Sequence, residues 1–219
     1  MSEELWTAVD KYLTDLFVPQ DAALEAALAD SDAAALPTIA VSANEGKLLH
    51  LLARAVGARK ILELGTLGGY STIWLARALP AGGRLISLEY AAKNAEVARK
   101  NIARAGLADR VEVRVGRAID TLPGLVGEGP FDLIFIDADK ESYTEYLDWA
   151  VRLSRSGTVI IADNVVRDGK VLDPASEDSM VKGIRRFNLA LAGEKRVDAT
   201  AIQTVGSKGW DGFALALVK

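Results

Sequence analysis

From residue 60 onwards, short apolar segments alternate with segments whose apolar residues recur at helical spacing, and this order restricts the possible folds strongly. The apolar segments predict strands at 61–64, 84–88, 111–115, 132–136 and 157–162. The segments between them predict helices at about 70–79, 91–105, 117–124, 141–154 and 178–191. Such alternation is typical of an α/β fold, in which right-handed crossovers build a doubly wound, mostly parallel sheet with helices on both faces.

The C-terminal part of the chain departs from this alternation. Two β-prone runs, 196–204 and 213–218, follow one another with no helical pattern between them. They are joined by the glycine-rich segment 205–212. We therefore expect a long antiparallel hairpin at one edge of the sheet, which brings the number of strands to seven.

The N-terminal part of the chain is predicted to be helical. Helical patterns are predicted for 5–17, 20–35 and 42–56. The third pattern opens with Ser42-Ala43-Asn44-Glu45, which has the form of a capping box, and Gly57 ends it. We expect a single domain, in which N-terminal helices within 1–57 cover an α/β core at 58–219.

Composition and charge exclude several classes of function. The chain has 219 residues, no cysteine and a net charge of -4, so disulfides, thiolate nucleophiles and cysteine-ligated metals are excluded, and neither a nucleic-acid nor a membrane partner is expected. With His50 as the single histidine, a histidine-rich zinc site is excluded as well, and we favour a structural role for His50. The acidic start of the chain does not resemble a signal peptide, so a cytoplasmic location is expected.

The turn after the first predicted strand indicates a ligand. A dinucleotide-binding loop that begins at Gly65 would need glycines at positions 67 and 70, but the chain has Leu67 and Tyr70, and it contains no phosphate-binding GxxxxGK[ST] motif. Glu89 ends the next strand, where an acid commonly binds ribose hydroxyls. A nucleoside with ribose and no phosphate chain points to S-adenosylmethionine. Glycine turns and acids at strand ends also occur in α/β proteins generally, so the loop alone leaves both interpretations open.

Oxygen-bearing side chains follow two of the predicted strands. Asp137 comes directly after the strand at 132–136, and Asp163 and Asn164 follow the strand at 157–162. If these strands are neighbours, two carboxylates and an amide oxygen meet at one edge of the sheet, a donor set that suits Mg²⁺, Mn²⁺ or Ca²⁺. The alternative is that these residues only cap the helices that follow them.

Lys140 lies close to this predicted cation site in the sequence. A nearby positive charge and partial burial both favour the neutral form of a lysine, which would make Lys140 a candidate general base; the alternative is a solvated surface lysine. At their spacing, Tyr143 and Tyr146 are better explained by core packing. We expect the irregular segment 163–178 to border the site, and Trp210 is either a ligand contact or an anchor for its loop.

The chain from about residue 41 to residue 218 resembles the metal-dependent class I O-methyltransferases, the group that contains catechol and caffeoyl-CoA O-methyltransferases, and the small bacterial members are most similar. The motifs that carry the resemblance are Leu62-Glu63-Leu64-Gly65, Gly69-Tyr70-Ser71, Gly116-Arg117-Ala118, Ile136-Asp137-Ala138-Asp139-Lys140 and Ala162-Asp163-Asn164-Val165. The last two motifs are specific in combination. The segment 165–170 departs from the apolar and aromatic version of many relatives, which leaves the substrate open.

The resemblance implies a Rossmann-like methyltransferase fold and assigns roles to individual residues. The implied contacts to S-adenosylmethionine are Val41, Glu63, Gly65, Thr66, Gly69, Tyr70, Ser71, Glu89, Ala118 and Asp137. The implied ligands of a divalent cation, Mg²⁺ by preference and otherwise Mn²⁺ or Ca²⁺, are Asp137, Asp163 and Asn164. Lys140 and Asp137 are the implied catalytic residues, with Lys140 as the base.

The predicted reaction is methyl transfer from S-adenosylmethionine to one hydroxyl of a catechol-like, vicinal dihydroxy phenol. Two alternatives are an NAD(P)-linked oxidoreductase, which Leu67 and Tyr70 disfavour, and a non-catalytic S-adenosylmethionine-binding protein, which has no need of the acid–acid–amide set. The family and the amphipathic first helix together suggest a homodimer.

Overall fold

The computed structural model describes residues 2–19 and 21–219 and contains one seven-stranded mixed sheet. Its strands are β1 (Lys60–Leu64), β2 (Arg84–Glu89), β3 (Val111–Val115), β4 (Phe131–Ile136), β5 (Ser154–Asp163), β6 (Val197–Gly206) and β7 (Gly209–Val218). The strand order is β3-β2-β1-β4-β5-β7-β6; β1 to β5 pair in parallel, and β7 is antiparallel to both β5 and β6. The predicted fold, including the C-terminal antiparallel hairpin, is confirmed.

Helices cover both faces of this sheet. Their bounds are α1 (Glu3–Phe17), α2 (Ala22–Ala33), α3 (Ala43–Ala55), α4 (Tyr70–Ala76), α5 (Ala92–Arg104), α6 (Ala118–Thr121), α7 (Tyr143–Arg152) and α8 (Ser179–Gly193). One apolar cluster joins the sheet to α7 and α8, and a second joins the opposite face to α2, α3, α4 and α5. The central strands β1 and β4 are therefore buried on both sides, which explains why their sequences are mostly apolar instead of alternating, apart from Glu63 and the polar residues Lys60 and Asp132 near their starts.

Strand order determines where a ligand can bind. The chain moves outwards from β1 to β3 on one side and from β4 outwards on the other, so the direction reverses between the neighbouring strands β1 and β4. In open α/β sheets, the crevice beyond the carboxyl ends of the strands at such a reversal is the usual ligand site. The glycine-rich turn follows β1, and Asp137 follows β4.

Several predicted boundaries shift in the structure. The predicted helix at 117–124 is the single turn α6 followed by a 3₁₀ turn at Leu122–Leu125. The predicted second helix was to start at Gln20, which, with Met1, lies outside the described residues; α2 follows Asp21, whose carboxylate accepts hydrogen bonds from the first-turn amides. Among the described residues, no helix combines the length with the apolar character needed to cross a membrane.

The predicted bounds of the connection in the hairpin, 205–212, were wrong. Strands β6 and β7 pair as far as Gly206 and Gly209, so only Ser207 and Lys208 lie between them. The glycines flank a tight turn, and Trp210 belongs to a strand, where its indole nitrogen donates to the Gln203 side chain at 3.0 Å. The glycine and polar residues at these strand ends have weak β-propensity, so the sequence did not predict a strand there. Cross-strand pairing overrides that weak propensity in the structure.

Candidate active site

A cavity of about 830 Å³ lies beyond the carboxyl ends of β1, β2, β4 and β5, within the size range of small-molecule sites. It reaches from Glu89 and Tyr90 after β2 to Arg167 and Trp210 near the hairpin. Among the residues predicted to contact S-adenosylmethionine, those that line the cavity are Val41, Gly65, Thr66, Tyr70, Ser71, Glu89, Ala118 and Asp137. The structure therefore brings eight of the ten predicted residues to one cavity.

Gly65 permits the close approach of β1 and β4 at the floor of this cavity. Its φ is +96°, and a β-carbon placed on it would overlap the backbone oxygen of Asp137. The Asp137 amide also donates to the carbonyl of Leu64 at 2.8 Å. A glycine is required here for two reasons, since both the backbone conformation and the space exclude a side chain.

The carboxylate of Glu89 organises the glycine-rich turn. Its Oε2 accepts from the backbone amides of Thr66 at 3.2 Å and Leu67 at 2.8 Å, and its Oε1 accepts from the Ala91 amide and the Asn94 side chain at 2.9 and 3.1 Å. A pyrophosphate would need such amides for itself. An acid already bound to them supports a nucleoside ligand without phosphates, and it places Glu89 on the cavity wall.

Glu63 and Gly69 are the two predicted cofactor residues that do not line the cavity. Glu63 is fully buried behind the turn, where its carboxylate accepts from the hydroxyls of Ser71, Thr72 and Ser87 at 2.7, 2.5 and 2.6 Å. Burial raises the pKa of Glu63 to about 7, and these hydroxyls oppose that shift. Contact of Glu63 with the cofactor stays a prediction.

Gly69 precedes α4 with a φ of +86°, and a β-carbon there would contact Ala98 of α5. Its role in the structure is to start the helix close to α5. Cofactor contact by Gly69 likewise stays a prediction.

The predicted oxygen donors lie at the ends of two adjacent strands. Ile136 of β4 pairs with Ala162 of β5, so Asp137 and Asp163 leave the sheet side by side, and both line the cavity together with Asn164. Asn164 has a φ of +62°, and its side chain makes no hydrogen bond with any described residue. Within residues 2–19 and 21–219, no three Asp, Glu, His or Cys side chains form a metal-binding group, so an amide oxygen is needed to complete the set.

Carboxyl groups crowd this corner of the cavity. Burial raises the pKa of Asp163 well above its ordinary range, and the nearby carboxylates of Glu45 and Asp137 raise it further. Burial and the charge of Asp137 likewise raise the pKa of Glu45 to about 7, and the neighbouring Asp163 carboxyl opposes part of that shift. A donor set of buried, mutually repelling oxygens fits a divalent cation, which relieves that repulsion.

Glu45 was missed as a site residue. Its sequence signal was the capping box, and that prediction is confirmed for one half of the motif, since the Ser42 hydroxyl accepts from the Glu45 amide at 3.2 Å. The side chain, however, extends from α3 into the cavity, which Glu45 lines. No sequence pattern relates α3 to the end of β5, because the contact depends on the packing of α3 against α4.

Lys140 is buried on the cavity wall, so the alternative of a solvated surface lysine is wrong. Its Nζ donates to Oδ1 of Asp137 at 2.8 Å and to the Tyr143 hydroxyl at 2.7 Å. That hydroxyl lies 3.1 Å from the carbonyl oxygen of Ile136 and 3.0 Å from that of Asp163, so it can donate to either carbonyl while it accepts from Lys140. These contacts hold the lysine amine beside the oxygen donors.

Both tyrosines of α7 lie in the core as predicted, but Tyr143 also has this positioning role, which core packing alone did not suggest. His50 lies outside the cavity lining, in α3, with Nδ1 3.2 Å from the carbonyl oxygen of Trp74. Burial lowers the pKa of His50. These observations agree with a structural histidine.

Comparisons with known proteins identify the family. The sequence profile described as O-methyltransferase matches residues 20–218. The chain is 58% identical over 221 residues to the catechol O-methyltransferase of Niastella koreensis, with all of both chains covered, and 60% identical over 211 residues to that of Mycobacterium tuberculosis, with 96% and 95% covered. The chain belongs to the O-methyltransferase family.

The structural comparison agrees with this family. An O-methyltransferase from Bacillus cereus, solved in complex with SAH, superposes with a TM-score of 0.98 at 57% identity, and the match covers all of both chains. The protein is thus a class I, S-adenosylmethionine-dependent O-methyltransferase, which confirms the family and the enzyme class predicted from the sequence.

Proposed function

We propose that this O-methyltransferase transfers the methyl group of S-adenosylmethionine to one hydroxyl of a catechol-like acceptor, with the help of a divalent cation. The observation that carries the proposal is the donor set of Asp137, Asp163 and Asn164, which lies in the same cavity as the glycine-rich turn and beside Lys140. The names of two relatives at 58% and 60% identity, both catechol O-methyltransferases, support the acceptor class.

The cation is proposed to be Mg²⁺, held by the two carboxylates and the Asn164 amide oxygen. Hard oxygen donors suit this ion, and Mg²⁺ keeps several positions for water or substrate oxygens. When bound, it would hold two vicinal oxygens and lower the pKa of a phenolic hydroxyl from its ordinary value of about 10. A requirement for adjacent hydroxyls follows from that chemistry.

Lys140 is the proposed proton acceptor. Its amine lies on the cavity wall, and two hydrogen bonds fix its position. A base held within reach of the acceptor hydroxyl removes the proton as the oxygen attacks the methyl carbon, and general-base catalysis typically contributes about 10²- to 10⁴-fold. Tyr143 orients the amine and does not touch the substrate in this proposal.

For the methyl donor, we propose that Glu89 binds the ribose hydroxyls and that the turn at Gly65 and Thr66, together with Ser71, Val41 and Ala118, encloses the rest of the molecule. The support is that these residues line one continuous cavity, and that a relative at 57% identity was solved with SAH. Positioning of the two substrates then supplies much of the rate gain.

A homodimer is proposed from the surface of α1. No residue of this helix is buried, and one face exposes large apolar side chains. The exposed large apolar residues are Leu5, Val9, Tyr12, Leu13, Leu16 and Phe17. A patch of this kind usually marks an interaction surface. Light scattering of the protein and of a Leu16→Glu variant, which should dissociate, would test the assembly.

The proposed reaction is tested with isotopically labelled S-adenosylmethionine and mass spectrometry of the products. Catechol, its 1,3-dihydroxy isomer resorcinol, and phenol are compared, each with Mg²⁺ and with excess EDTA. We expect methylation of catechol that depends on Mg²⁺ and little methylation of the other two. Equal rates on the three phenols would rule out vicinal-hydroxyl selection, and full activity after exhaustive chelation would rule out the cation.

A further inference from the structure

Residues 164–169 form a strained segment at the cavity rim. Asn164, Arg167 and Asp168 have φ values of +62°, +55° and +54°, and Gly169 follows at +74°. Residues with side chains rarely adopt this left-handed conformation, and outliers of this kind gather at functional sites.

Hydrogen bonds to β7 hold the segment in this conformation. The amides of Val166 and Arg167 donate to Oδ1 of Asp211 at 3.0 and 2.9 Å, and the Asp168 amide donates to the carbonyl of Trp210 at 3.1 Å. These hydrogen bonds fix the backbone from which the Arg167 side chain extends.

Arg167 lines the cavity, and its guanidinium makes no hydrogen bond to an oxygen of the described residues. A guanidinium carries five N–H donors. Nε is buried without a partner, Nη1 lies 3.9 Å from Oδ2 of Asp211, and Nη2 lies 3.9 Å from the sulfur of Met180. Asp211 already accepts from two backbone amides, and at 3.9 Å it forms an ion pair with Arg167 without a hydrogen bond to the guanidinium.

We propose that Arg167 binds a carboxylate on the methyl acceptor, so that the preferred substrates are catechols with an acidic side chain. This inference rests on the proposed function, because the catechol hydroxyls must lie at the oxygen donors Asp137, Asp163 and Asn164, the last of which lies three residues before Arg167. The planar fork of a guanidinium matches the two oxygens of a carboxylate, and neither Nη1 nor Nη2 hydrogen-bonds to an oxygen of the described residues.

The surrounding charges favour a single carboxylate over a phosphate. Asp168 and Asp211 flank Arg167 on the same cavity wall, and Lys208 is the further cation at this end. The two acids would repel a doubly charged phosphate, and Arg167 alone would have to bind it. A carboxylate carries a single charge, which Arg167 can balance. The cavity is also lined by an aromatic side chain, Trp210, which lies against Gly169 of the same segment.

The test compares acids with their neutral amides of nearly the same shape. The substrates are 3,4-dihydroxybenzoate, 3,4-dihydroxyphenylacetate and 3-(3,4-dihydroxyphenyl)propionate, each paired with its amide, so that three distances between ring and carboxylate are covered. For at least one pair, we expect kcat/KM of the wild-type enzyme to favour the acid by about 10- to 100-fold, the range of a charged hydrogen-bonded contact.

The variants separate a directed contact from a general effect of charge. Arg167→Met should reduce the acid-to-amide ratio to about 3 or less, mainly through a higher KM for the acid, and Arg167→Lys should give an intermediate ratio because it keeps the charge and loses the fork. Lys208→Met removes a cation from the same cavity and should keep the wild-type ratio. Circular dichroism and the affinity for S-adenosylhomocysteine verify that each variant is folded.

Three results would overturn the inference alone while catechols are still methylated: a wild-type ratio near 1 for every pair, an unchanged ratio in Arg167→Met, or a ratio lost in Lys208→Met instead. Failure to methylate any catechol, acid or amide would overturn the proposed function and this inference with it.

Discussion

Oδ1 of Asp137 lies 2.8 Å from Nζ of Lys140, so the candidate base and the proposed cation share the Asp137 carboxylate. The side chain of Lys140 is 8% exposed and that of Asp137 is 26% exposed, which means that water screens this pair only in part. A divalent cation at Asp137 would therefore act directly on the charge of Lys140, and the lysine would oppose binding of the cation.

Replacement of Lys140 by methionine should lower kcat and raise the affinity for the cation. We expect kcat to fall by about 10²-fold or more, because the proton acceptor is lost. We expect the affinity for Mn²⁺ or Mg²⁺ to rise about fivefold or more, because removal of one like charge at this distance is worth roughly 1 kcal/mol. Isothermal titration calorimetry measures the affinity. Lys170→Met, which removes an exposed lysine paired with Asp168, serves as the control. A weaker cation affinity in Lys140→Met would contradict the shared-carboxylate arrangement.

Asp163→Asn should weaken cation binding and make the metal-free protein more stable. We expect the cation affinity to fall by about 100-fold or more, which is a larger loss than the removal of an outer-shell partner usually causes. S-adenosylhomocysteine should still bind. In the metal-free protein, Tm should rise, because a neutral amide replaces a buried carboxyl group that lies close to Glu45 and Asp137. The matched control is Asp168→Asn, a carboxylate on the same cavity wall that suits asparagine in its left-handed conformation. Equal loss of cation affinity in both variants would contradict the assignment of Asp163 as a cation ligand.

Glu63 should make the protein less stable as the pH rises. Its pKa is about 7 in the folded protein against an ordinary 4.5, so the folded state holds the proton more tightly than the unfolded state does. The stabilisation is complete below pH 4.5 and is lost as the pH rises through 7, by about 3 kcal/mol at most. Glu63→Gln should reduce the loss of unfolding free energy between pH 5 and pH 8, measured by urea unfolding of metal-free protein, and the dependence that remains comes from groups such as Glu45 and Asp163.

The control for that series is Glu96→Gln, which changes an exposed glutamate of α5. It should keep the wild-type pH dependence. A Glu63→Gln variant whose stability follows pH as the wild type does would show that the buried carboxyl does not titrate in this range.

Gly65→Ala should be much more harmful than Gly57→Ala. Both glycines have positive φ, +96° and +62°, so both variants carry the backbone cost of about 1–2 kcal/mol. Only at Gly65 would the added carbon overlap the backbone of Asp137, whereas nothing lies within 4 Å at Gly57. Such overpacking adds about 1–3 kcal/mol and displaces Asp137. Thermal unfolding compares the two; equal losses of stability would mean that the contact with Asp137 relaxes easily.

The sequence predicted those features that depend on short-range pattern. Apolar strands, helical spacing and the residues directly after each strand are local, so the seven-stranded sheet and the rim formed by Asp137, Asp163 and Asn164 could be predicted from the amino-acid order alone. The hairpin was predicted, but its two-residue turn was not, because strand pairing overrode the loop-like composition.

Features that depend on long-range packing could not be predicted. Glu45 reaches Asp163 although 118 positions separate them, and its local motif described only a helix cap. The burial of Lys140 depends on Tyr143, which the pattern assigned simply to the core. The left-handed backbone at Arg167 is imposed by hydrogen bonds to Asp211, again from a distant strand.

The central claim is that Asp137, Asp163 and Asn164 hold one divalent cation beside the methyl donor. The most direct measurement is a crystal structure grown with Mn²⁺ and S-adenosylhomocysteine, in which anomalous scattering locates the metal. We expect a single strong peak within about 2.0–2.4 Å of an oxygen of each of the three side chains, with the nucleoside next to Glu89. At saturating Mn²⁺, the absence of a peak there, or a peak bound by other residues, would contradict the proposed site.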